Sequence, residues 1–142
     1  NTLGRLLELG ALPILNENDT VATEELVIGD NDTLAAIVAE SVRADLLILL
    51  SDIDGLYTAD PHKDPDAKLI THVRQLDDSI YALAGVSASA QGTGGMVTKL
   101  QAAKICMACG CAMVIANGRN PDDLYDILDG KPVGTLFGEV TR

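Results

Sequence analysis

Short apolar runs alternate along the chain with segments whose apolar residues recur at helical spacing. The longest run, Leu-Leu-Ile-Leu-Leu at 46–50, predicts a strand that is buried on both faces and central in its sheet. Shorter runs predict strands at 12–15, 69–73, 111–116 and 133–137. Because strands that alternate with helices are joined by crossovers, this order predicts an α/β fold with a mainly parallel sheet.

Helical spacing predicts a helix that ends at Gly10 and four further helices at 34–42, 76–84, 98–108 and 121–129. The polar turn at 29–33 supplies cap residues for the helix at 34–42. Asn120 is suited to cap the last helix, and Pro121 is suited to its first position, where a missing N–H costs nothing.

Composition and charge restrict the classes of partner. The chain has 142 residues, enough for one domain, and a formal net charge of −11. Nucleic acids and anionic membranes both require a basic surface, so we expect neither as a partner. Aromatic residues make up only 3% of the chain, which argues against a stacking platform for single-stranded nucleic acid.

The three cysteines lie close together in the sequence, at positions 106, 109 and 111. A structural zinc site needs four ligands, and no second pair of Cys or His lies near them, so we expect no metal here. Cys111 is predicted to point into the core. An odd number of thiols without a secretion signal favours reduced cysteines and a cytoplasmic location.

Two of the predicted strands run directly into clusters of polar residues. Residues 16–19, Asn-Glu-Asn-Asp, follow the strand at 12–15, and residues 51–54, Ser-Asp-Ile-Asp, follow the strand at 46–50. Polar loops are common after any strand. Ligands of open α/β sheets nevertheless bind beyond the carboxyl ends of the strands, so the two clusters together favour a binding site.

A third candidate is the Gly-rich segment at 92–99, which ends in Lys99 and leads into a predicted helix. Glycines let a backbone approach a phosphate closely, and amides at a helix start point at it. Lys99 would add a full positive charge. The segment matches neither the Walker A pattern nor the dinucleotide pattern, so a flexible connection is the alternative interpretation.

Two acids, Asp30 and Asp32, flank Asn31 at the start of the helix predicted at 34–42. Simple capping explains one of them. The other is then available to pair with a lysine or to help hold a metal-bound phosphate.

Five motifs in this order resemble the amino acid kinase family and, within it, the glutamate 5-kinases. They are Pro-Ile-Leu-Asn-Glu-Asn-Asp at 13–19, Gly-Asp-Asn-Asp at 29–32, Leu-Leu-Ser-Asp at 49–52 with Gly-Leu-Tyr at 55–57, the Gly-rich segment at 92–99 and Val-Gly-Thr-Leu-Phe at 133–137. The resemblance covers nearly the whole chain. It implies an α/β three-layer sandwich with a mainly parallel sheet, truncated at the N-terminus. Residues 1–44 would end an acceptor-binding lobe, and residues 45–142 would form a nucleotide-binding lobe.

The resemblance implies ATP-dependent phosphorylation of the γ-carboxylate of L-glutamate, the first step of proline biosynthesis. ATP would bind as its Mg²⁺ complex, with no tightly bound cofactor and no metal ligands from the protein. Asn16, Asp19 and Asn31 would contact glutamate, while Asp32 and Lys99 would be catalytic, with Asp32 organising the catalytic lysines. The residues implied in nucleotide binding are Ser51, Asp52, Thr93, Gly94, Gly95, Met96, Val97, Thr98 and Lys99. Proline as a feedback inhibitor and a homo-oligomer are further expectations.

The sequence departs from the family pattern in one respect. The family begins with a strand and a Gly-rich turn that carries another lysine, and this sequence contains no such segment. We therefore expect the chain to be the C-terminal part of a kinase domain and to be inactive alone. Two alternatives stay open: another amino acid kinase, such as an acetylglutamate or uridylate kinase, which the Asn-Glu-Asn-Asp motif disfavours, and a non-catalytic module that binds a nucleotide or an amino acid.

Overall fold

Helices and strands alternate in the computed structural model, which describes residues 1–16, 30–85 and 95–140. In chain order they are α1 (Thr2–Glu8), α2 (Asn31–Ser41), β1 (Leu46–Ser51), β2 (His72–Val73), α3 (Asp78–Leu83), α4 (Gly95–Ala108), β3 (Ala112–Asn117), α5 (Asp123–Leu128) and β4 (Thr135–Phe137). The α/β class predicted from the sequence is confirmed.

The four strands form one sheet in the order β1-β3-β4-β2. β1 pairs with β3 in parallel, from Leu46 opposite Ala112 to Ser51 opposite Asn117. β2 also pairs with β4 in parallel, whereas β3 and β4 are antiparallel, so the sheet is mixed. Within the described residues β1 lies at the edge of the sheet, and its predicted central place is wrong. The predicted burial on both faces is also wrong, because Leu50 is 48% exposed and Leu49 is the only buried residue of the run 46–50.

Alternate residues of β3 face two different hydrophobic clusters, as expected for a strand covered on both sides. Met113 and Ile115 belong to the larger cluster, which includes buried residues of α2, α3 and α4. Val114 and Ala116 belong to the smaller cluster, which includes Ile127 of α5. Helices on both faces of the sheet give the three layers that were expected. Among the described residues, no helix has the length and apolar character needed to cross a membrane.

Two local predictions are wrong. Residues 12–15 form no strand: Leu12 is 83% exposed and Ile14 is 90% exposed, and no described strand pairs with them. An apolar run becomes a strand only where a partner satisfies its backbone. The last helix begins at Asp123, because the Asn120 side chain accepts from Asp122 N and closes a turn that contains Pro121.

Candidate functional site

Three side chains meet where α2 and α4 begin. The Oδ2 atom of Asp32 lies 2.8 Å from Thr98 Oγ1 and 3.1 Å from Lys99 Nζ, and it accepts hydrogen bonds from both. The Lys99 side chain is only 13% exposed and the Asp32 side chain 24%. An ion pair shielded to this degree is screened less by salt than a surface pair. Asp32 therefore holds the Lys99 ammonium group in a defined position.

Capping and helix packing bring Asp32 to Lys99. Asp30 caps α2 by accepting a hydrogen bond from Thr33 N, which leaves Asp32 available to a neighbouring helix. α2 and α4 pack against each other, and small side chains let helices approach closely. The buried small residues of these two helices are Ala36, Ala39, Ala102 and Ala103. One acid of the pair thus serves as a cap and the other pairs with a lysine, as the sequence suggested.

A cavity of about 550 Å³, here called the first cavity, opens at the carboxyl ends of β1 and β3. Its lining comes from the segment 52–62, from the end of α3, from Met96 and from the residues that end and follow β3. Met96 lies one helical turn before Lys99, so the start of α4 contributes both a wall of the cavity and the shielded ammonium group. This is the edge at which ligands of open α/β sheets bind.

Two of the residues predicted to bind a nucleotide, Asp52 and Met96, line the first cavity. Ser51 ends β1, and its hydroxyl donates to Asp52, which lines the cavity. Gly95 begins α4 with a φ of +64°, a conformation that favours glycine. Val97 is partly buried in the first turn of the same helix. Thr93 and Gly94 lie outside the described residues.

Two of the residues predicted to contact the acceptor line a second cavity, of about 540 Å³, between α2 and β1. These residues are Asn16 and Asn31, which the fold brings together although 15 positions separate them in the sequence. The rest of the described lining is apolar, from Leu15 to Leu47. Such a wall offers no charge to a zwitterionic amino acid. Asp19, the third predicted contact, lies outside the described residues.

Sequence reasoning missed a hydrogen-bonded network on the wall of the first cavity. The Tyr57 hydroxyl donates to Asp54 Oδ2 at 2.9 Å, and Asn117 Nδ2 donates to Asp54 Oδ1 at 3.0 Å. These two hydrogen bonds lower the pKa of the Asp54 carboxyl below its usual value, and the same carboxylate raises the pKa of Tyr57. The sequence signal that could have revealed the network is position, because Asp54 follows β1 and Asn117 ends β3 at the same edge of the sheet.

The cysteines take no part in either cavity described above. Cys106 and Cys111 are buried and Cys109 is exposed, and all three are free thiols. Burial raises the pKa of Cys106 to about 12, so this thiol stays protonated and unreactive at neutral pH. Within the described ranges no group of three or more His, Cys, Asp or Glu residues is arranged to hold a metal ion.

Comparison with known proteins shows which family and which relatives the sequence of this chain matches. The model of the amino acid kinase family matches residues 1–117. The chain is 55% identical over 141 residues to the glutamate 5-kinase of Listeria innocua, which covers 96% of this chain and 51% of that protein. It is 61% identical over 130 residues to the glutamate 5-kinase of Rhodospirillum rubrum, which covers 92% of this chain and 35% of that protein.

A solved structure shows the same fold. The carbamate kinase of Giardia lamblia, crystallised with AMP-PNP, superposes with a TM-score of 0.64 at 23% identity. The match covers 97% of this chain and 48% of that one. The chain therefore spans about half or less of the length of the proteins that it resembles.

Proposed function

Because the chain belongs to the amino acid kinase family, we propose that it forms the nucleotide-binding part of an enzyme that phosphorylates the γ-carboxylate of L-glutamate. Identity of 55% and 61% to two glutamate 5-kinases supports glutamate as the acceptor. Since the chain spans 51% and 35% of those relatives, the activity is proposed for a protein of their length. Residues 1–44 would end its acceptor lobe, and residues 45–142 would form its nucleotide lobe.

The reaction moves one phosphoryl group. An oxygen of the glutamate γ-carboxylate attacks the γ-phosphorus of ATP, the bond between that phosphorus and the β,γ-bridging oxygen breaks, and ADP leaves with the electron pair. The products are glutamyl 5-phosphate and ADP, with ATP entering as its Mg²⁺ complex. Negative charge spreads over the transferred group in the transition state, so catalysis requires positioning and nearby cations rather than covalent chemistry.

The observation that carries this proposal is the shielded ion pair between Lys99 and Asp32. Lys99 Nζ lies 3.1 Å from Asp32 Oδ2 in the first turns of α4, the helix whose Met96 lines the first cavity. A preorganised ammonium group stabilises the phosphoryl group without reorganising during the reaction. The other four lysines are exposed: Lys63, Lys68, Lys104 and Lys131.

The nucleotide and the acceptor are assigned to separate sites in this reaction. The first cavity would hold the nucleotide, with Ser51, Asp52 and the segment 93–99 around it. Asn16, Asp19 and Asn31 would bind glutamate, and their carboxamide and carboxylate groups match the two ends of an amino acid. The further proposals that accompany this assignment are a place at the first step of proline biosynthesis, cytoplasmic location, feedback by proline and a homo-oligomer.

Coupled measurement of ADP release tests the proposed function. We expect the longest reading frame that contains this chain to release ADP from MgATP only when L-glutamate is present. Acetylglutamate, UMP and carbamate serve as competing acceptors, and faster turnover with any of them would contradict the proposed substrate. The 142-residue chain alone is expected to bind MgADP in a calorimetric titration but to show no glutamate-dependent turnover.

Separate acceptor and nucleotide sites predict opposite kinetic effects for two acidic residues. Asp19→Ala is expected to raise the KM for glutamate by about tenfold, the effect of losing one charged contact, with little change in the KM for ATP. Asp52→Ala, at the first cavity, is expected to raise the KM for ATP instead. Both constants are measured in the same reading frame, and equal effects of Asp19→Ala on both substrates would overturn the division.

A further inference from the structure

We propose that Asp54 and Asn117 are positioning residues for the nucleotide. They hold Tyr57 and the segment after β1 against the end of β3, so that the wall of the first cavity is formed before the nucleotide arrives. This inference rests on the proposed function for the identity of the ligand. It concerns residues to which the sequence analysis assigned no role in binding the nucleotide.

Both oxygens of the Asp54 carboxylate are engaged from different elements. Tyr57 donates to Oδ2 from the segment that follows β1, whereas Asn117 donates to Oδ1 from the last position of β3. Asn117 Nδ2 also lies 3.4 Å from the carbonyl oxygen of Asp52, and Asn117 Oδ1 accepts from Arg119 N at 2.9 Å. One asparagine thus connects both ends of the wall, and all five residues line the cavity.

The fold does not need this network, because other bonds anchor the same segment. Leu56 N donates to Thr135 Oγ1 at 2.9 Å, and Ile70 N donates to the Leu56 carbonyl oxygen at 2.8 Å. Leu56 is 2% exposed and Thr135 is fully buried, so these bonds lie in the core. Asp54, in contrast, is exposed. Its loss should leave the chain folded and alter only the wall of the cavity.

The direction of the change in nucleotide affinity distinguishes a positioning role of Asp54 from an effect of its negative charge alone. Asp52, Asp54 and Asp60 all line the first cavity, and a nucleotide is a polyanion. If Asp54 acted only through its negative charge, its removal would strengthen nucleotide binding or leave it unchanged. A positioning role predicts weaker binding, because the free chain would then have to order the wall each time a nucleotide binds.

Calorimetric titration of the 142-residue chain with MgADP tests the inference. We expect Asp54→Ala and Asn117→Ala each to weaken binding by about fivefold or more, the value of one lost hydrogen bond. Asp54→Asn should bind nearly as the parent does, because its amide can accept from Asn117 and donate to the Tyr57 oxygen. The charge control is Asp129→Asn, an exposed residue outside the cavity, and it should change nothing.

If Asn117→Ala lowers the melting temperature, Tyr57→Phe is a second variant that tests the positioning role. It removes one hydroxyl and keeps the ring, and we expect it to weaken binding by about threefold to fivefold. Combined with Asp54→Ala it should add nothing further, since both variants break the same bond.

The outcomes distinguish this inference from the proposed function. If the parent chain binds MgADP and Asp54→Ala binds it equally or more tightly, the positioning role is overturned and the proposed function stands. Equal weakening by Asp54→Asn and Asp54→Ala would also overturn it, because Asp54→Asn can keep both hydrogen bonds and their retention would then make no difference. A parent chain that binds no MgADP would overturn the nucleotide site itself, and the positioning role with it.

Discussion

Replacing Lys99 with alanine is expected to lower kcat for glutamate-dependent ADP release by roughly 10²-fold or more, the cost of removing one donor aimed at a developing charge. The substitution has two effects at the site, and both are expected to lower kcat. The ammonium group that is held at the start of α4 is lost, and of these two hydrogen bonds the Asp32 carboxylate keeps the one from Thr98. A negative charge without its ion-pair partner would then remain near the transferred phosphoryl group.

The measurement is kcat in the longest reading frame that contains the chain, with both substrates saturating. Lys104→Ala is the matched control, because Lys104 lies on the same helix but is exposed and lines neither cavity. It should retain the parental rate. If Lys99→Ala also kept the parental kcat, Lys99 would be a structural partner of Asp32, and the observation that carries the proposed function would lose its meaning.

Gly134→Ala is expected to reduce the free energy of unfolding by roughly 3 kcal/mol or more, the range reached when a forced backbone shift adds to an unfavourable φ. Gly134 has a φ of +67°, which only glycine adopts without strain. A Cβ atom at this position would lie 1.9 Å from the carbonyl oxygen of Ile115 and 2.9 Å from its carbonyl carbon. Relief of that overlap requires β3 and β4 to separate where they pair.

Gly130→Ala is a control that separates the loss of unfolding free energy caused by the steric overlap from the loss caused by the positive φ angle. Gly130 has a φ of +79°, but a Cβ atom there would meet nothing within 4 Å. We expect it to lose only about 1 kcal/mol, the conformational part alone. Urea unfolding of the two variants, followed by circular dichroism, measures both losses. Equal losses would show that the β3–β4 contact is not as close as the structure has it.

Local sequence patterns predicted most elements of this fold. The helix-forming spacing of 98–108 corresponds to α4, which begins at Gly95, and the helix expected at 34–42 is α2, shifted three residues toward its cap. The strands at 46–50 and 111–116 are β1 and β3, each within one residue. These elements depend on helix capping and on the periodicity of apolar side chains. Both involve residues close in sequence, so both can be recognised from the sequence.

The candidate site was predictable only as a set of separate motifs. Asp32, Lys99 and the polar ends of two strands stood out from their residue types and their positions. The roles of these residues stay predictions until the kinetic tests are made. Tyr57 lies only three positions from Asp54, whereas Asn117 had no motif, because the hydrogen bond that joins it to Asp54 spans 63 positions of the chain.

The sequence by itself determined the α/β class, the cap at Asp30, and the presence of an acid that was available to pair with a lysine. The resemblance already named Lys99, and the tertiary structure places it against Asp32, 67 positions away, because α2 packs on α4. The tertiary structure also decided that β4 runs antiparallel to β3, that β1 lies at the edge of the described sheet, and that residues 12–15 pair with none of the described strands. Each of these outcomes depends on backbone or side-chain partners that are distant in sequence, and a local pattern of polar and apolar residues carries no information about which partners those are.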